Sequence, residues 1–225
     1  MGQHENRAKI ALAIYIATFV IVWTLRATVF ISIDEGIESS TWRNVYSNAV
    51  KFAIWVVPAF ITLRLWHLPP FNYLKLTTSV NKRGLIVAAM VVGAWLGFVL
   101  VAEAALSGRN AGAILLQRSD YLRVLAGVFV SPIWEETLFR GFFLNRLNES
   151  LSFWKSNLIS AALFVLAHVP YWVSKNGLSP NVMRDLANVF LLGCLFGWVM
   201  KKTNSLWPAI GAHIANNFLS GLIHS

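Results

Sequence analysis

The chain alternates long apolar runs with short polar segments, and this pattern predicts helices that cross a membrane. A spanning helix needs about 20 mainly apolar residues. Runs of this kind occur at about 8–31, 46–66, 84–106, 121–147, 155–173, 183–200 and 204–222. The predicted fold class is therefore all-α, in a polytopic integral membrane protein with about seven transmembrane helices.

Charge is distributed unevenly among these runs. The segments 84–102 and 156–174 contain no charged residue in 19 positions each, and the segment 203–225 contains none in 23. The other runs hold or adjoin charged residues, namely Arg26, Lys51 and Asp185 in the first, second and sixth runs and Glu135, Glu136 and Arg140 in the fourth. The pattern leaves counts of six or eight spans open beside the count of seven.

The N-terminal run has the charge order of a secretory signal peptide, because Arg7 and Lys9 precede it. No small-residue cleavage site follows the run, so we expect it to remain as a first span. In the predicted loops, Lys and Arg number ten on the side of the N-terminus (Arg7, Lys9, Arg64, Lys75, Lys82, Arg83, Arg146, Lys155, Lys201 and Lys202) and six on the other side (Arg43, Arg109, Arg118, Arg123, Lys175 and Arg184). Since cytoplasmic loops are enriched in these residues, we predict a cytoplasmic N-terminus in a bacterial cytoplasmic membrane.

Composition excludes the soluble classes of protein. Apolar residues make up 56% of the chain and charged residues 13%, with a mean hydropathy of +0.58, whereas a soluble domain carries about 25% charged residues. The 15 Phe and 10 Trp also exclude a disordered chain. The net charge is +9, and the basic residues lie between the apolar runs. This placement fits loops beside an anionic lipid surface, so we predict no nucleic-acid partner. The single cysteine, Cys194, permits no intrachain disulfide.

The fourth run carries the first cluster of ionisable residues. An ionisable group inside a span is costly, so each one suggests a functional site. Glu136 and Arg140 are four residues apart and share a helix face, whereas Glu135 points about 100° away from Glu136 and stays available to a water. Ser131 and Pro132 could cap and start this helix. The alternative is that both acids merely pair with basic residues on other helices.

Two later runs carry histidines at helical spacing. His168 follows Phe164 by four residues, and Asn217 follows His213 by four. A single histidine in a span is often a packing residue, and a His/Asn pair can equally join helices. Asn216 is the competing amide, on a different face of the last run.

The three clusters are predicted to lie at a similar depth in the membrane. In each cluster, one residue is a similar distance from a basic residue at the predicted cytoplasmic end of its span. At about 1.5 Å per helical residue, the separations are about 16 Å for Glu135 and Arg146, about 20 Å for His168 and Lys155, and about 16 Å for His213 and Lys202. A carboxylate, two imidazoles and an amide that meet at one depth can activate a water and hold an oxyanion.

Other intramembrane proteases would need motifs that this sequence lacks. A rhomboid-type serine site needs Gly-x-Ser-Gly and an aspartyl site needs Gly-x-Gly-Asp, and neither motif occurs. A zinc site of the His-Glu-x-x-His type is also missing, since His4 and Glu5 lie in a polar tail without the second histidine. Among these types of intramembrane protease, the remaining possibility is a site built from glutamate and histidine.

Residues of the C-terminal half resemble the CPBP membrane proteases, once called the Abi family, which include CAAX prenyl endopeptidases and bacteriocin-processing or self-immunity proteins. The signatures of this family are Glu-Glu-x-x-x-Arg, Phe-x-x-x-His and His-x-x-x-Asn. They occur here in order, as Glu135-Glu136 with Arg140, Phe164 with His168, and His213 with Asn217. The string PIWEETLFRGFF also resembles the first family motif.

The resemblance covers about residues 121–222 and implies a C-terminal four-helix catalytic core, after N-terminal transmembrane helices in 1–120, within one membrane domain spanning 1–225. It implies that Glu135 with His168 activates the hydrolytic water, and that His213 and Asn217 stabilise the oxyanion. Glu136 and Arg140 would orient the site, and Phe164 would pack near the general base.

The expected activity is that of an intramembrane endopeptidase that cleaves a membrane-associated protein or peptide, by CAAX-type or leader-type processing. The expected partners are membrane lipids and this substrate. No cofactor is favoured; the alternative is zinc, for which the ligands would be Glu135, His168 and His213. The alternative function is a non-catalytic scaffold or self-immunity protein of the same fold.

Overall fold

The structure is a computed structural model that describes residues 2–107 and 125–223. Within these ranges every regular element is helical, which confirms the all-α prediction. The helices are α1 (Gly2–Thr28), α2 (Ile31–Glu35), α3 (Ser40–Lys51), α4 (Val57–Leu65), α5 (Pro70–Tyr73), α6 (Lys82–Ser107), α7 (Ser131–Glu136), α8 (Asn145–Asn148), α9 (Phe153–Asn176), α10 (Pro180–Thr203) and α11 (Trp207–Ile223).

Three π-helical segments extend some of these helices into longer runs. Phe52–Val56 joins α3 to α4, and Leu125–Val130 and Thr137–Leu144 flank α7. Two continuous helical runs result, over 40–65 and 125–148. A helical run therefore occupies the place of each predicted span, with ends that differ by several residues; residues 121–124 of the predicted fourth span lie outside the described ranges.

Five helical segments in the described ranges are long and apolar enough to cross a membrane: Lys9–Glu35, Thr41–Leu65, Lys82–Ala102, Phe153–Asn176 and Pro180–Thr203. The protein is a multi-pass integral membrane protein. The run 125–148 is not among the five because it carries Glu135, Glu136 and Arg140, and α11 is not because it has 17 residues. The exact count of seven spans stays a prediction.

The run 125–148 does not begin at Ser131, so the prediction of a serine-capped helix start is wrong. Helical backbone already precedes Ser131 as the π-helical segment Leu125–Val130, and no side chain caps α7. Proline removes one backbone donor and crowds the carbonyl four residues earlier, and a wider π-helical turn before Pro132 relieves that conflict. The two acidic residues lie in the middle of a helical run and not at its positive end.

The centre of the molecule is an aromatic core that both halves of the chain share. Phe19 and Trp55 from the N-terminal helices meet Phe139 at ring-centroid distances of 6.1 and 5.4 Å. All eight residues of Thr137–Leu144 are buried, as expected for a helix surrounded by others. The core therefore fixes the N-terminal helices against the run that carries both acidic residues.

Helices α9 and α10 approach each other closely through small residues. A Cβ atom on Gly197 would lie 1.9 Å from Asn157 Oδ1, and one on Gly193 would lie 2.9 Å from Ala161 Cβ. Small residues allow such approach between membrane helices. The contact brings Phe196 of α10 beside the cluster that α9 and the run 125–148 form.

Candidate active site

The Glu135 carboxylate is buried and held by a cation from the second helical run. Lys51 Nζ donates to Glu135 Oε1 at 2.8 Å, and Ser131 Oγ donates to the same oxygen at 2.7 Å. Lys51 also lies 4.9 Å from the centre of the Trp55 ring. Glu135 is separate from Arg140, as predicted, but its Oε1 is already occupied by these two donors.

Glu136 joins a second, fully buried charge cluster. Arg140 Nη1 donates to Glu136 Oε1 at 3.0 Å, which confirms the predicted pairing. His213 Nδ1 lies 2.8 Å from the same oxygen and donates to it. The other nitrogen of His213, Nε2, lies 3.6 Å from Glu135 Oε2. His213 therefore stands between the two carboxylates and connects them.

Aromatic rings enclose the Arg140 guanidinium in place of further hydrogen bonds. Its carbon atom lies 4.4 Å from the centre of the Phe164 ring and 5.4 Å from that of Phe196. Phe164 also contacts the rings of His168 and His213, at 4.8 and 5.8 Å. A cation gains free energy over an aromatic face, and more so away from water. Phe164 thus packs against members of all three sequence clusters.

His168 lies on α9 one turn after Phe164. Its Nδ1 donates to the Phe164 carbonyl oxygen at 2.8 Å, which leaves Nε2 as the nitrogen that can accept a proton. Pro170 interrupts the backbone hydrogen bonds of α9 close by, and Trp23 Nε1 donates to the Ala167 carbonyl oxygen at 2.7 Å. The histidine side chain is fixed by its own helix, and α1 binds the backbone of the residue before it.

Glu135 and His168 line one cavity of about 580 Å³. Its other lining residues come from α1 to α3, from the Phe52–Val56 segment and from α9: Trp23, Arg26, Ala27, Ile31, Asp34, Arg43, Asn44, Ser47, Lys51, Trp55, Ala167, Tyr171 and Trp172. His213 does not line the cavity, although its Nε2 lies 3.6 Å from Glu135 Oε2. The N-terminal helices therefore supply most of the wall of the space that Glu135 faces.

Asn217 stands apart from the other residues singled out in the sequence. It lies one turn after His213 on α11, half-buried, and its Oδ1 accepts a long 3.5 Å hydrogen bond from Asn216 Nδ2. Among the described residues, Asn217 is not part of the cavity wall. The structure brings the other six residues of the three signatures into one connected cluster and leaves this amide at its edge.

A zinc site needs three side chains that turn lone pairs toward one point. Glu135 Oε1 accepts from Lys51 and His213 Nδ1 donates to Glu136, so Glu135 Oε2 and the Nε2 atoms of His168 and His213 are the atoms that would be left for a metal ion. In the described parts of the chain, no three His, Cys, Asp or Glu side chains are grouped so that they could hold a metal ion.

Two ion pairs in this region are not predicted by the sequence pattern. Lys51 and Glu135 are 84 residues apart, so no helical spacing relates them. Arg26 and Asp34 form a second buried pair in the cavity wall. The sequence does show Arg26 and Lys51 as charges in or beside predicted spans. Because an unpaired charge in lipid is costly, each of them could have been expected to have an acidic partner.

Comparison with known proteins agrees with the sequence resemblance. Residues 117–219 match a family model described as "Rce1-like: Type II CAAX prenyl endopeptidase Rce1-like". This segment is similar to the Rce1-like family. The predicted resemblance to CPBP proteases is thus confirmed, and all seven signature residues lie inside the Rce1-like segment.

One curated relative supports a peptidase at the level of the family. It is a protein of Bacillus subtilis (strain 168) named "Putative membrane peptidase YdiL", 26% identical over 96 residues. The match covers 43% of this chain and 34% of the relative, so the chain spans about a third of the length of the relative that it matches. No solved structure matches the chain significantly.

Removal of the Lys51 ammonium tests its role beside Glu135. We expect Lys51→Met to lower turnover by about 10-fold or more, and the double variant with Glu135→Gln to be no slower than Glu135→Gln alone, since contacting residues act non-additively. Lys175→Met is the matched control, because Lys175 pairs with the exposed Glu35. Additive losses in the double variant would contradict a shared role.

Proposed function

We propose that this protein is an intramembrane endopeptidase that hydrolyses a peptide bond in a membrane-associated protein or peptide, by CAAX-type or leader-type processing. The observation that carries the proposal is the buried Glu135 carboxylate, fixed by Lys51 and Ser131 at the wall of a cavity that it shares with His168. The similarity of residues 117–219 to the Rce1-like family model supports it.

In the proposed mechanism, Glu135 and His168 act on one water molecule. The water oxygen attacks the carbonyl carbon of the scissile bond, and a carboxylate oxygen of Glu135 or Nε2 of His168 takes its proton. The proton then passes to the leaving nitrogen as the C–N bond breaks, which yields a carboxylic acid and an amine. His213 through Nε2 and Asn217 through Nδ2 would donate to the oxyanion. Neither side chain lines the cavity, so both would turn toward the bound substrate to do so. Glu136 and Arg140 hold His213 in place for this role.

The proposed mechanism uses no metal ion. If Glu135, His168 and His213 act by proton transfer and hydrogen bonds, 1,10-phenanthroline should leave turnover unchanged, and elemental analysis should find no stoichiometric zinc in active protein. A zinc enzyme would lose activity when a chelator removes the ion and would regain it when zinc is added back. That result would overturn the metal-free mechanism, whereas the proposal that the protein is a peptidase would stand.

Asn217 offers a test of the oxyanion assignment. An oxyanion donor contributes on the order of 3 kcal/mol to the barrier, so we expect Asn217→Ala to reduce kcat about 100-fold and to leave substrate binding nearly unchanged. Asn216→Ala removes the neighbouring amide and is the matched control. If Asn217→Ala instead shifts only the stability, by about 0.6 kcal/mol as for an average membrane hydrogen bond, the oxyanion role is wrong.

The function itself is tested with purified protein and a peptide library. Mass spectrometry of the library before and after incubation reports every cleaved bond. Purified Glu135→Gln is incubated in parallel, and any cleavage that it also gives is assigned to a contaminating protease. Cleavage by the wild type and not by the variant is expected. A non-catalytic scaffold or self-immunity protein would leave the library intact at every concentration.

The proposal includes membrane topology. The bias of Lys and Arg toward one set of predicted loops supports an N-terminus in the cytoplasm of a bacterial cell. The cavity is lined by the C-terminal ends of α1 and α9 and by α3, so its mouth would lie at the opposite face of the membrane. Lipids surround the helices, whose apolar side chains include the exposed Ile14, Ile21 and Ile86.

A further inference from the structure

A second space lies between the helical runs 40–65 and 125–148. Its volume is about 660 Å³, and its walls include Phe52, Val57 and Phe60 of the first run and Ile133, Trp134 and Thr137 of the second. We call this space the apolar groove, because none of the described residues that line it is charged. It shares no lining residue with the cavity of Glu135. The two runs therefore bound two separate spaces, one polar and one apolar.

The apolar groove has the length of one membrane leaflet. On the first run its lining residues extend from Phe52 to Ile61, and nine helical residues correspond to about 14 Å. The hydrocarbon core of a bilayer is about 30 Å thick, so one leaflet contributes about 15 Å. Ile61 lies four residues before the end of α4 at Leu65. The groove therefore extends from about the middle of the membrane to the surface at which α4 ends, as a lipid acyl chain does.

A polar pocket of about 540 Å³ adjoins the groove at that surface. Phe71 lines both spaces, and its exposed ring lies 5.4 Å from the Phe60 ring of the groove. The polar side chains of the pocket are Arg64, His67 and Asn72. No carboxylate occurs among the described residues that line it. The groove thus ends beside a positively charged surface pocket.

The Arg64 guanidinium is available to a ligand. Arg64 lies in the last turn of α4 and is exposed, and its side chain makes no hydrogen bond or ion pair with any residue in 2–107 or 125–223. Other cations on the same predicted side are occupied, since Arg146 pairs with Glu149 and Lys75 donates to Asn204. Guanidinium groups bind phosphate through parallel hydrogen bonds.

We propose that an anionic phospholipid binds at this place, with its phosphate at Arg64 and one acyl chain in the apolar groove. The lipid comes from the leaflet on the side of the N-terminus, which the Lys and Arg bias predicts to be cytoplasmic, and the surface of that leaflet is negatively charged. Ile133 and Trp134 directly precede Glu135 in the chain, so the acyl chain would pack against the helical run that carries this carboxylate.

Lipid binding is measured by native mass spectrometry of the purified, delipidated full-length protein in detergent. The probes are dioleoyl phosphatidylglycerol and dioleoyl phosphatidylcholine, which have the same acyl chains and differ in net charge. We expect one phosphatidylglycerol to bind about 5-fold or more tightly than phosphatidylcholine, because one basic residue near the membrane surface contributes about that factor. Arg64→Gln should bind both lipids alike, whereas Arg64→Lys should keep most of the preference.

Arg83→Gln is the matched control for the loss of charge. Arg83 is also exposed and lies on the same predicted side of the membrane, but it lines neither the groove nor the polar pocket. We expect this variant to keep the wild-type preference for phosphatidylglycerol. An equal loss of preference in Arg83→Gln would assign the effect to the overall surface charge and would overturn the proposal.

Val57→Trp tests the acyl-chain part of the site by filling the groove. Each methylene group that leaves the groove loses about 0.8 kcal/mol, so displacement of two of them should weaken the binding of both lipids about 10-fold or more. Val91→Trp adds the same ring to the exposed side of α6 at a similar distance from the same surface, and should not change binding. The melting temperature should rise with phosphatidylglycerol concentration in the wild type, and much less in Val57→Trp.

Equal binding of the two lipids by the wild type would overturn the proposal, as would an unchanged preference in Arg64→Gln or unchanged affinities in Val57→Trp. Glycerol 3-phosphate that binds as tightly as phosphatidylglycerol would show an anion site without an acyl chain. A dimer that Val57→Trp dissociates, with no lipid bound, would assign the groove to a second copy of the chain. Either of these last two results would also overturn the proposal. None of the measurements depends on peptide cleavage, so the outcome is independent of the proposed function.

Discussion

Glu135→Gln is expected to lower turnover by about 100- to 10,000-fold, the contribution of a general base, while the protein still folds. Gln keeps the shape of the side chain and can accept the hydrogen bonds of Lys51 and Ser131 through its carbonyl oxygen. It cannot take a proton from water. The measurement is the initial rate of peptide cleavage by purified protein whose melting temperature is recorded in parallel.

Glu35→Gln is the matched control for this substitution. Glu35 also pairs with a lysine, Lys175, but both side chains are largely exposed, and neither lines the cavity. We expect wild-type turnover from Glu35→Gln. Cleavage by Glu135→Gln at the wild-type rate would remove Glu135 from the mechanism.

Arg140→Met is expected to destabilise the folded protein by about 3–5 kcal/mol, because it leaves the Glu136 carboxylate buried without its cation. Both side chains of this pair are 0% exposed. The same reasoning applies to Glu136→Gln, which leaves Arg140 charged between the rings of Phe164 and Phe196. Each single variant should give a low yield of folded protein and an early thermal transition.

The double variant Glu136→Gln with Arg140→Met removes both charges and should recover part of the lost stability without recovering turnover. Replacement of a buried ion pair by uncharged groups is often neutral or stabilising, whereas His213 loses the negative charge of the carboxylate that holds its Nδ1. The exposed pair of Arg184 and Asp185 is the control, since its removal should cost about 0–1 kcal/mol. Single variants that melt like the wild type would show that the buried pair contributes nothing.

The parts of this site that the sequence could predict are those within one helix. The pair of Glu136 and Arg140 follows from four-residue spacing, and the same spacing puts His168 one turn after Phe164. Helical depth also places Glu135 and His213 at a similar level, and they lie 3.6 Å apart. Periodicity works here because the helical rise and turn are fixed by the backbone.

The parts that the sequence could not predict depend on how helices are arranged around one another. Lys51 reaches Glu135 from a run in the other half of the chain, and no local rule assigns it to that carboxylate. Nor could the sequence predict the π-helical segment before Ser131, because the apolar pattern of Leu125–Val130 suits either kind of helix. The Asn217 amide lies on the expected helix, one turn after His213, yet spacing alone does not say which neighbour it faces.

The aromatic core has a consequence for how sequences of this kind can diverge. Phe19 and Trp55 complete the packing around Phe139, so the run that carries both acidic residues shares its core with the N-terminal helices. We infer that this run keeps its packing only beside N-terminal helices that supply rings of similar volume. In the first two helical runs, substitutions between apolar residues should be tolerated where side chains meet lipid, as at Ile14 and Ile21. Where side chains enter the shared core, only substitutions that conserve volume should be tolerated.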